Sequence, residues 1–217
     1  MAVASVSEVA VPGDGAVLPG RLRHSQEAFG LVIFAHGSGS SRLSPRNAAV
    51  ADALADAGLD SLLFDLLTDA ESRDRRLVFD IPFLTDRLRR ALAWARGEPR
   101  LRGLDFGLFG ASTGAAAALG VAASDPEVRA VVSRGGRPDL ASDLLAAVRA
   151  PTLLIVGERD TPVLACNRAA LGLLGGHARL EIVPGATHLF EEPGALGRVS
   201  SLACAWFEEF LGKDGQG

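Results

Sequence analysis

The sequence predicts an α/β fold built on a mostly parallel eight-stranded sheet with helices on both faces. Three observations carry the prediction: short apolar runs recur along the chain, helical patterns separate them, and an alternating stretch with a dense turn signal opens it. Strands joined through helices make right-handed crossovers, and a sheet built from them needs cover on each face. No linker, composition shift or internal repeat divides the 217 residues, so residues 1–217 are expected to form a single domain.

Taken in order, Ser5–Val11 alternates like an edge strand, Pro12-Gly13-Asp14-Gly15 makes a turn, and Ala16–Arg23 returns as a second extended stretch. An antiparallel hairpin therefore comes first. Buried strands are expected at Leu31–Ala35, Ser61–Phe64, Phe106–Phe109, Ala130–Val132, Thr152–Val156 and Leu180–Val183. Leu84, Leu88, Ala91, Leu92 and Ala95 recur on one face of a helix, with Asp80 as its cap, Pro82 in its first turn and Gly97 closing it. Arg87, Arg89 and Arg90 are expected to face away from that stripe. Ala115–Ala118 reads as a closely packed helix. A last helix carries Val199, Leu202, Ala203, Trp206, Phe207 and Phe210 and ends at Gly212, before a polar tail expected to fray.

Composition excludes several functions. Hydrophobic residues make up 48% of the chain, yet no apolar run reaches the roughly 18 residues that a membrane helix needs. A net charge of -4 offers no general attraction to nucleic acid or anionic lipid. The stretch Met1–Gly20 has neither a basic start nor an apolar core of the kind that directs export. Cys166 and Cys204 lie far apart, each within a helical pattern, and suggest two reduced thiols rather than a disulfide or a metal site. The expectation is a cytoplasmic protein acting on a small molecule, with no nucleic-acid or membrane partner; its oligomeric state is left open.

The chemistry concentrates where strands end. Phe106–Phe109 runs into Gly110-Ala111-Ser112-Thr113-Gly114, and an Ala-rich helix follows at once. This is G-x-S-x-G at a strand-to-helix turn, the setting in which a serine is held in a strained backbone with a helix N-terminus aimed at it. A Gly-rich turn of this kind can also be structural or hold a phosphate. Chain order supports catalysis: the strand Thr152–Val156 leads to Asp160, and Leu180–Val183 leads to His188. Serine is unreactive at its free pKa, imidazole titrates near neutrality, and a carboxylate fixes the imidazole tautomer. Ser112, His188 and Asp160 are thus the expected nucleophile, base and orienting acid.

Rival residues have weaker positions. Asp139 also follows a strand, but Pro138-Asp139 reads as a helix start. Asp65 and the pair Glu191-Glu192 read as a cap or a solvated helix start. His24 and His177 are expected in solvated loops. His36 runs into Gly37-Ser38-Gly39-Ser40, a sharp turn expected to supply the Ser38 backbone N–H, with that of Thr113, to an oxyanion hole, His36 shaping the loop. That turn lacks the G-K-[ST] ending of a phosphate loop. Candidate substrate contacts are Gly37, Arg134, Arg137 and Glu71. Arg134 and Arg137 lie past a strand end where a guanidinium could hold a carboxylate, although pairing with Asp139 or Glu158 competes. Glu71 lies in Thr68–Phe79, the one connection long enough to overhang the site; the run Arg73-Asp74-Arg75-Arg76 there is more often just a solvated face. No large lid is expected.

Through H-G-S-G, G-A-S-T-G, G-E-R-D and G-A-T-H the chain resembles the α/β-hydrolase superfamily, and more narrowly the dienelactone-hydrolase-like serine hydrolases. Val132-Ser133-Arg134-Gly135-Gly136-Arg137-Pro138-Asp139 is similar to hydrolase domains found fused to phosphoribosyltransferases, although this chain has no room for a transferase domain. The resemblance implies cleavage of an ester or lactone through an acyl-enzyme, with no cofactor and no metal. Dienelactone hydrolases proper use a cysteine nucleophile, whereas the elbow here holds Ser112. Two other readings stay open at this level: acyl transfer by the same triad, and a binding module that keeps the fold without the chemistry.

Overall fold

A computed structural model describes residues 5–212. The beginning of the Met1–Gly20 stretch and the polar tail after Gly212 lie outside the described residues. Eight strands form one sheet in the order β1-β2-β4-β3-β5-β6-β7-β8. They are β1 (Ser5–Pro12), β2 (Val17–His24), β3 (Gly30–Ala35), β4 (Leu59–Phe64), β5 (Asp105–Ala111), β6 (Val128–Arg134), β7 (Thr152–Gly157) and β8 (Ala178–Val183). β1 pairs antiparallel with β2, and β2 antiparallel with β4. From β4 through β8 every pairing is parallel. The opening hairpin and all six later strands fall where the apolar runs place them, and β1 is indeed an edge.

The helices are α1 (Pro45–Asp56), α2 (Arg75–Val78), α3 (Ile81–Gly97), α4 (Thr113–Ser124), α5 (Thr161–Leu171) and α6 (Ala195–Leu211). The β6–β7 connection is a 3₁₀ segment, Pro138–Ala147. One face of the sheet is covered by α3 and α4, with Leu84, Leu88, Leu92 and Ala116–Leu119 packed on Leu31, Ile33, Leu108 and Val131. The other is covered by α1 and α6, with Val50, Leu54, Val199, Ala203 and Phe207 against Val32, Phe34, Phe109 and Val132. Burying one such side chain contributes about 1.5–3 kcal/mol, so two full layers hold the strand ends rigidly in place. No helix among the described residues is long and apolar enough to cross a membrane.

Asp80 caps α3 as expected, accepting from the Phe83 N–H. Arg87 departs from expectation. Its side chain is 1% exposed, bridging the Glu71 carboxylate at 2.7 Å and lying 4.8 Å over the Phe83 ring, whereas Arg89 and Arg90 are solvated. The reason is tertiary: the segment after β4 folds down beside α3 and brings Glu71 to the edge of the apolar stripe, and a buried cation with a carboxylate and an aromatic face is tolerated.

Candidate active site

Each expected triad residue stands at the C-terminal end of a parallel strand. β5 delivers Ser112 at a turn where its φ is 51°, a left-handed backbone that few non-glycine residues adopt. Two bonds pin the strained residue to β6 and beyond: its N–H donates to Arg134 O at 3.2 Å, and its carbonyl accepts from Arg137 N–H at 3.1 Å. Gly114 is required by close approach, because a Cβ there would lie 2.2 Å from the Ala35 carbonyl oxygen. α4 therefore begins hard against β3, with its N-terminus at the serine.

β7 ends at Gly157, and Asp160 follows at the head of α5. β8 ends at Val183, and the turn beyond it carries His188. The two loops are tied together: Glu158 N–H donates to Val183 O at 3.0 Å, Arg159 N–H to Ala186 O at 2.9 Å, and Gly185 N–H to the Glu158 carboxylate at 2.7 Å. Thr187 N–H is accepted by Glu192 at 3.0 Å, and Phe190, at φ 56°, turns its ring into the core. So anchored, His188 Nδ1 stands 2.6 Å from Asp160 Oδ2. The carboxylate is mostly buried while the ring is 39% exposed, and the ring's other nitrogen has no hydrogen-bond partner among the described residues.

Gly135 links the ring to the elbow. Held at φ 53°, it would place a Cβ 3.4 Å from two His188 ring atoms, and its neighbour Arg134 takes the Ser112 N–H. Across the elbow, a Cβ on Gly37 would fall 3.0 Å from Ser112 Cβ, so the loop after β3 packs on the serine from its other side. Ser112 Oγ has no hydrogen-bond partner among the described residues, a looseness common before substrate tightens a site.

The H-G-S-G loop is shaped by its histidine. Leu66 N–H donates to His36 Nε2 at 3.0 Å, which leaves Nδ1 as the protonated nitrogen, 3.0 Å from Gly37 O. Burial pushes the His36 pKa below its ordinary 6.5, outweighing the Gly37 carbonyl and Asp65, which favour the charged form. An unfolded chain would take up a proton near pH 6.5 that the folded chain resists. His36 thus lends stability fully present above pH 6.5 and lost as pH falls through and below it. Urea unfolding is expected to give a stability difference between the wild type and His36→Gln that shrinks from pH 7.5 to pH 5; a constant or growing difference contradicts the buried neutral ring.

Ser38 and Thr113 meet as neighbours, but not as two open donors: Ser38 N–H donates to Thr113 Oγ1 at 3.0 Å. The Thr113 N–H, first in α4, has no acceptor within its helix. Ser38 and Thr113 line a cavity of about 230 Å³ walled by Leu66, Val78 and Leu84 on the apolar side and by Asp69 and Ser72 on the polar side. Asp69, Ser72 and Val78 of the Thr68–Phe79 segment line this cavity, whose walls do not include Ser112, Asp160 or His188.

Several expected contacts are corrected. The Arg137 fork is taken by Asp139 at 2.8 and 2.7 Å, which removes Arg137 as a free carboxylate clamp and Asp139 as a rival acid. The Glu71 carboxylate is held by Arg87 and the Thr68 N–H, so it braces the overhanging segment rather than facing substrate. Arg134 is buried without a carboxylate partner among the described residues, its Nη2 3.4 Å from Asn47 Oδ1. Burial, with Arg46 nearby, lowers its pKa to about 10, so it stays charged at neutral pH. Asp65 accepts from the Arg42 backbone and guanidinium, each at 2.6 Å. His24 is not a solvated residue: it sits 2.6 Å from buried Asp60, at the opposite end of the sheet. His177 is exposed and stacks on Trp206. Cys166 and Cys204 are free thiols.

A strained serine after β5, with a His–Asp pair supplied by the loops after β8 and β7, defines an α/β-hydrolase arrangement, and the alpha/beta hydrolase domain profile matches residues 28–205. The chain belongs to that family. It is 52% identical to a dienelactone hydrolase from Anabaena variabilis ATCC 29413 of known structure, over 96% of this chain and 99% of that one, with a TM-score of 0.93. It is 55% identical, over 94% of its own length, to a Mycobacterium tuberculosis (strain ATCC 25618 / H37Rv) protein named "Putative phosphoribosyl transferase Rv0571c". Only 46% of that protein is matched, so the chain spans about half the length of this relative. Est1E from Butyrivibrio proteoclasticus shares the fold at 16% identity, covering 95% of this chain and 99% of that one, with a TM-score of 0.82.

Proposed function

We propose that the chain hydrolyses small carboxylic esters or lactones through an acyl-enzyme on Ser112. His188 takes the serine proton as the hydroxyl attacks the carbonyl carbon, then returns it to the leaving alcohol; a water deprotonated by the same ring releases the acid. Asp160 holds the Nδ1–H tautomer and stabilises the imidazolium. The observation that carries this reading is the 2.6 Å His188–Asp160 contact, held over Gly135 beside a serine at φ 51°. The cavity of about 230 Å³ on the Ser38–Thr113 side of the elbow, although it is not lined by the triad itself, supports a small substrate. The Anabaena relative is named for a lactone, and a lactone is the cyclic form of the same chemistry.

The test is an acid-quenched mass spectrum of the intact chain during turnover of a short-chain activated ester. The expected result is a population heavier by one acyl group, absent from Ser112→Ala. Turnover with no acylated species would contradict the reading. Adding a competing alcohol separates hydrolysis from acyl transfer, since a transferase would pass the acyl group to that alcohol.

A further inference from the structure

We propose that the Thr113 side-chain hydroxyl is itself a catalytic hydrogen-bond donor to the oxyanion, with the Ser38 N–H acting through it rather than beside it. The inference rests on the acyl-enzyme reading above. Its starting point is the bond from Ser38 N–H to Thr113 Oγ1 at 3.0 Å, which engages the donor that sequence alone would aim at the substrate. That oxygen accepts one hydrogen bond, and its own hydrogen has no acceptor among the described residues.

A helical threonine usually gives its hydroxyl hydrogen to a carbonyl in the preceding turn. Thr113 opens α4, where a strand precedes it and no such carbonyl is bonded. The residue is only 4% exposed, so bulk water is a poor alternative acceptor, and a buried donor left unmade is costly. Thr113, the residue after the nucleophile, lines the cavity together with Gly37 and Ser38, so an acceptor on that side of the elbow would meet this residue first. Its backbone N–H, without a helical acceptor, belongs to the same residue and directly follows the nucleophile. One residue thus supplies two donors.

The electrostatics favour this arrangement. A hydroxyl that accepts from an N–H is polarised and becomes a better donor; Thr113 is buried, where such a chain is strengthened, while Ser38 is exposed. As negative charge develops on the carbonyl oxygen, the O–H hydrogen bond shortens while the proton stays on Thr113. The gain appears in the transition state rather than in the ground state, so it belongs to kcat.

Thr113→Val keeps the β-branched shape and removes only the hydroxyl's capacity to donate and accept. The expected outcome is a fall in kcat of about 100-fold on a short-chain ester with KM changed by less than about 3-fold. Thr113→Ser should recover most of it. A trifluoromethyl ketone, whose serine adduct carries the same oxyanion, should bind Thr113→Val more weakly by about the factor lost in kcat/KM. If valine unfolds the chain, Thr113→Ala carries the same expectation. A wild-type or raised kcat in folded Thr113→Val would overturn the proposal, showing that the hydroxyl only occupies the Ser38 N–H until substrate displaces it. A wild-type chain that fails to turn over any ester would instead remove the acyl-enzyme reading, and this proposal with it.

Discussion

Replacing Ser112 with alanine is expected to lower kcat on a chromogenic short-chain ester by about 10⁴-fold or more while leaving the fold intact. The size follows from the division of labour: without the hydroxyl no acyl-enzyme forms, and water must attack with help only from the oxyanion donors and binding. Folding should survive because the bonds that hold the elbow, Ser112 N–H to Arg134 O and Arg137 N–H to Ser112 O, belong to the backbone. Ser112 Oγ, in contrast, has no partner to lose among the described residues. Steady-state kinetics beside a thermal melt check both halves. Residual turnover within tenfold of wild type, in a variant that melts normally, contradicts the assignment of the nucleophile.

Asp160→Asn should cost nearly as much, about 10⁴-fold in kcat. A carboxylate can only accept, so at 2.6 Å it requires the hydrogen to sit on His188 Nδ1 and leaves Nε2 as the base. An amide can turn its NH₂ toward the ring and trap the opposite tautomer. Helix α5 is not the point of failure, because the Asp160 side chain makes no capping bond to it. The matching change at Asp139, whose carboxylate is committed to Arg137, is expected to alter kcat by no more than a few-fold. If Asp139→Asn abolished activity and Asp160→Asn did not, the orienting acid would be misassigned.

These expectations began in short sequence signals, and the outcome shows which signals are local. The strands were legible because buried parallel strands have few alternatives: an apolar run of five residues between glycines and helices cannot satisfy its backbone otherwise. The elbow was legible because its steric demands select small neighbours, seen in the 2.2 Å that a Cβ on Gly114 would leave to Ala35 O. His188 and Asp160 could be placed by the strands that precede them.

What failed to be legible depends on who sits opposite. Arg87 read as solvated because its helix face is a flank of the stripe, and nothing local announces that Glu71 will fold against it. His24 read as a loop residue for want of any sign that β4 would present Asp60 beside it. Arg137 and Glu71 read as substrate contacts, yet each spends its charge inside the chain. For Ser38, the chain pattern places a backbone N–H in the right loop, but only three-dimensional packing shows Thr113 Oγ1 in front of it. A charged or polar group is assigned a role by its partner, and partners come from distant sequence.

The claim on which the rest stands is that one hydroxyl, at residue 112, is made nucleophilic by the imidazole of residue 188. A fluorophosphonate followed by peptide mapping tests it most directly, because such probes react rapidly only with an activated serine. The expected result is a single adduct on Ser112, formed far more slowly in His188→Ala. An adduct on another residue, or an ester-cleaving chain that the probe leaves unmodified, would contradict it.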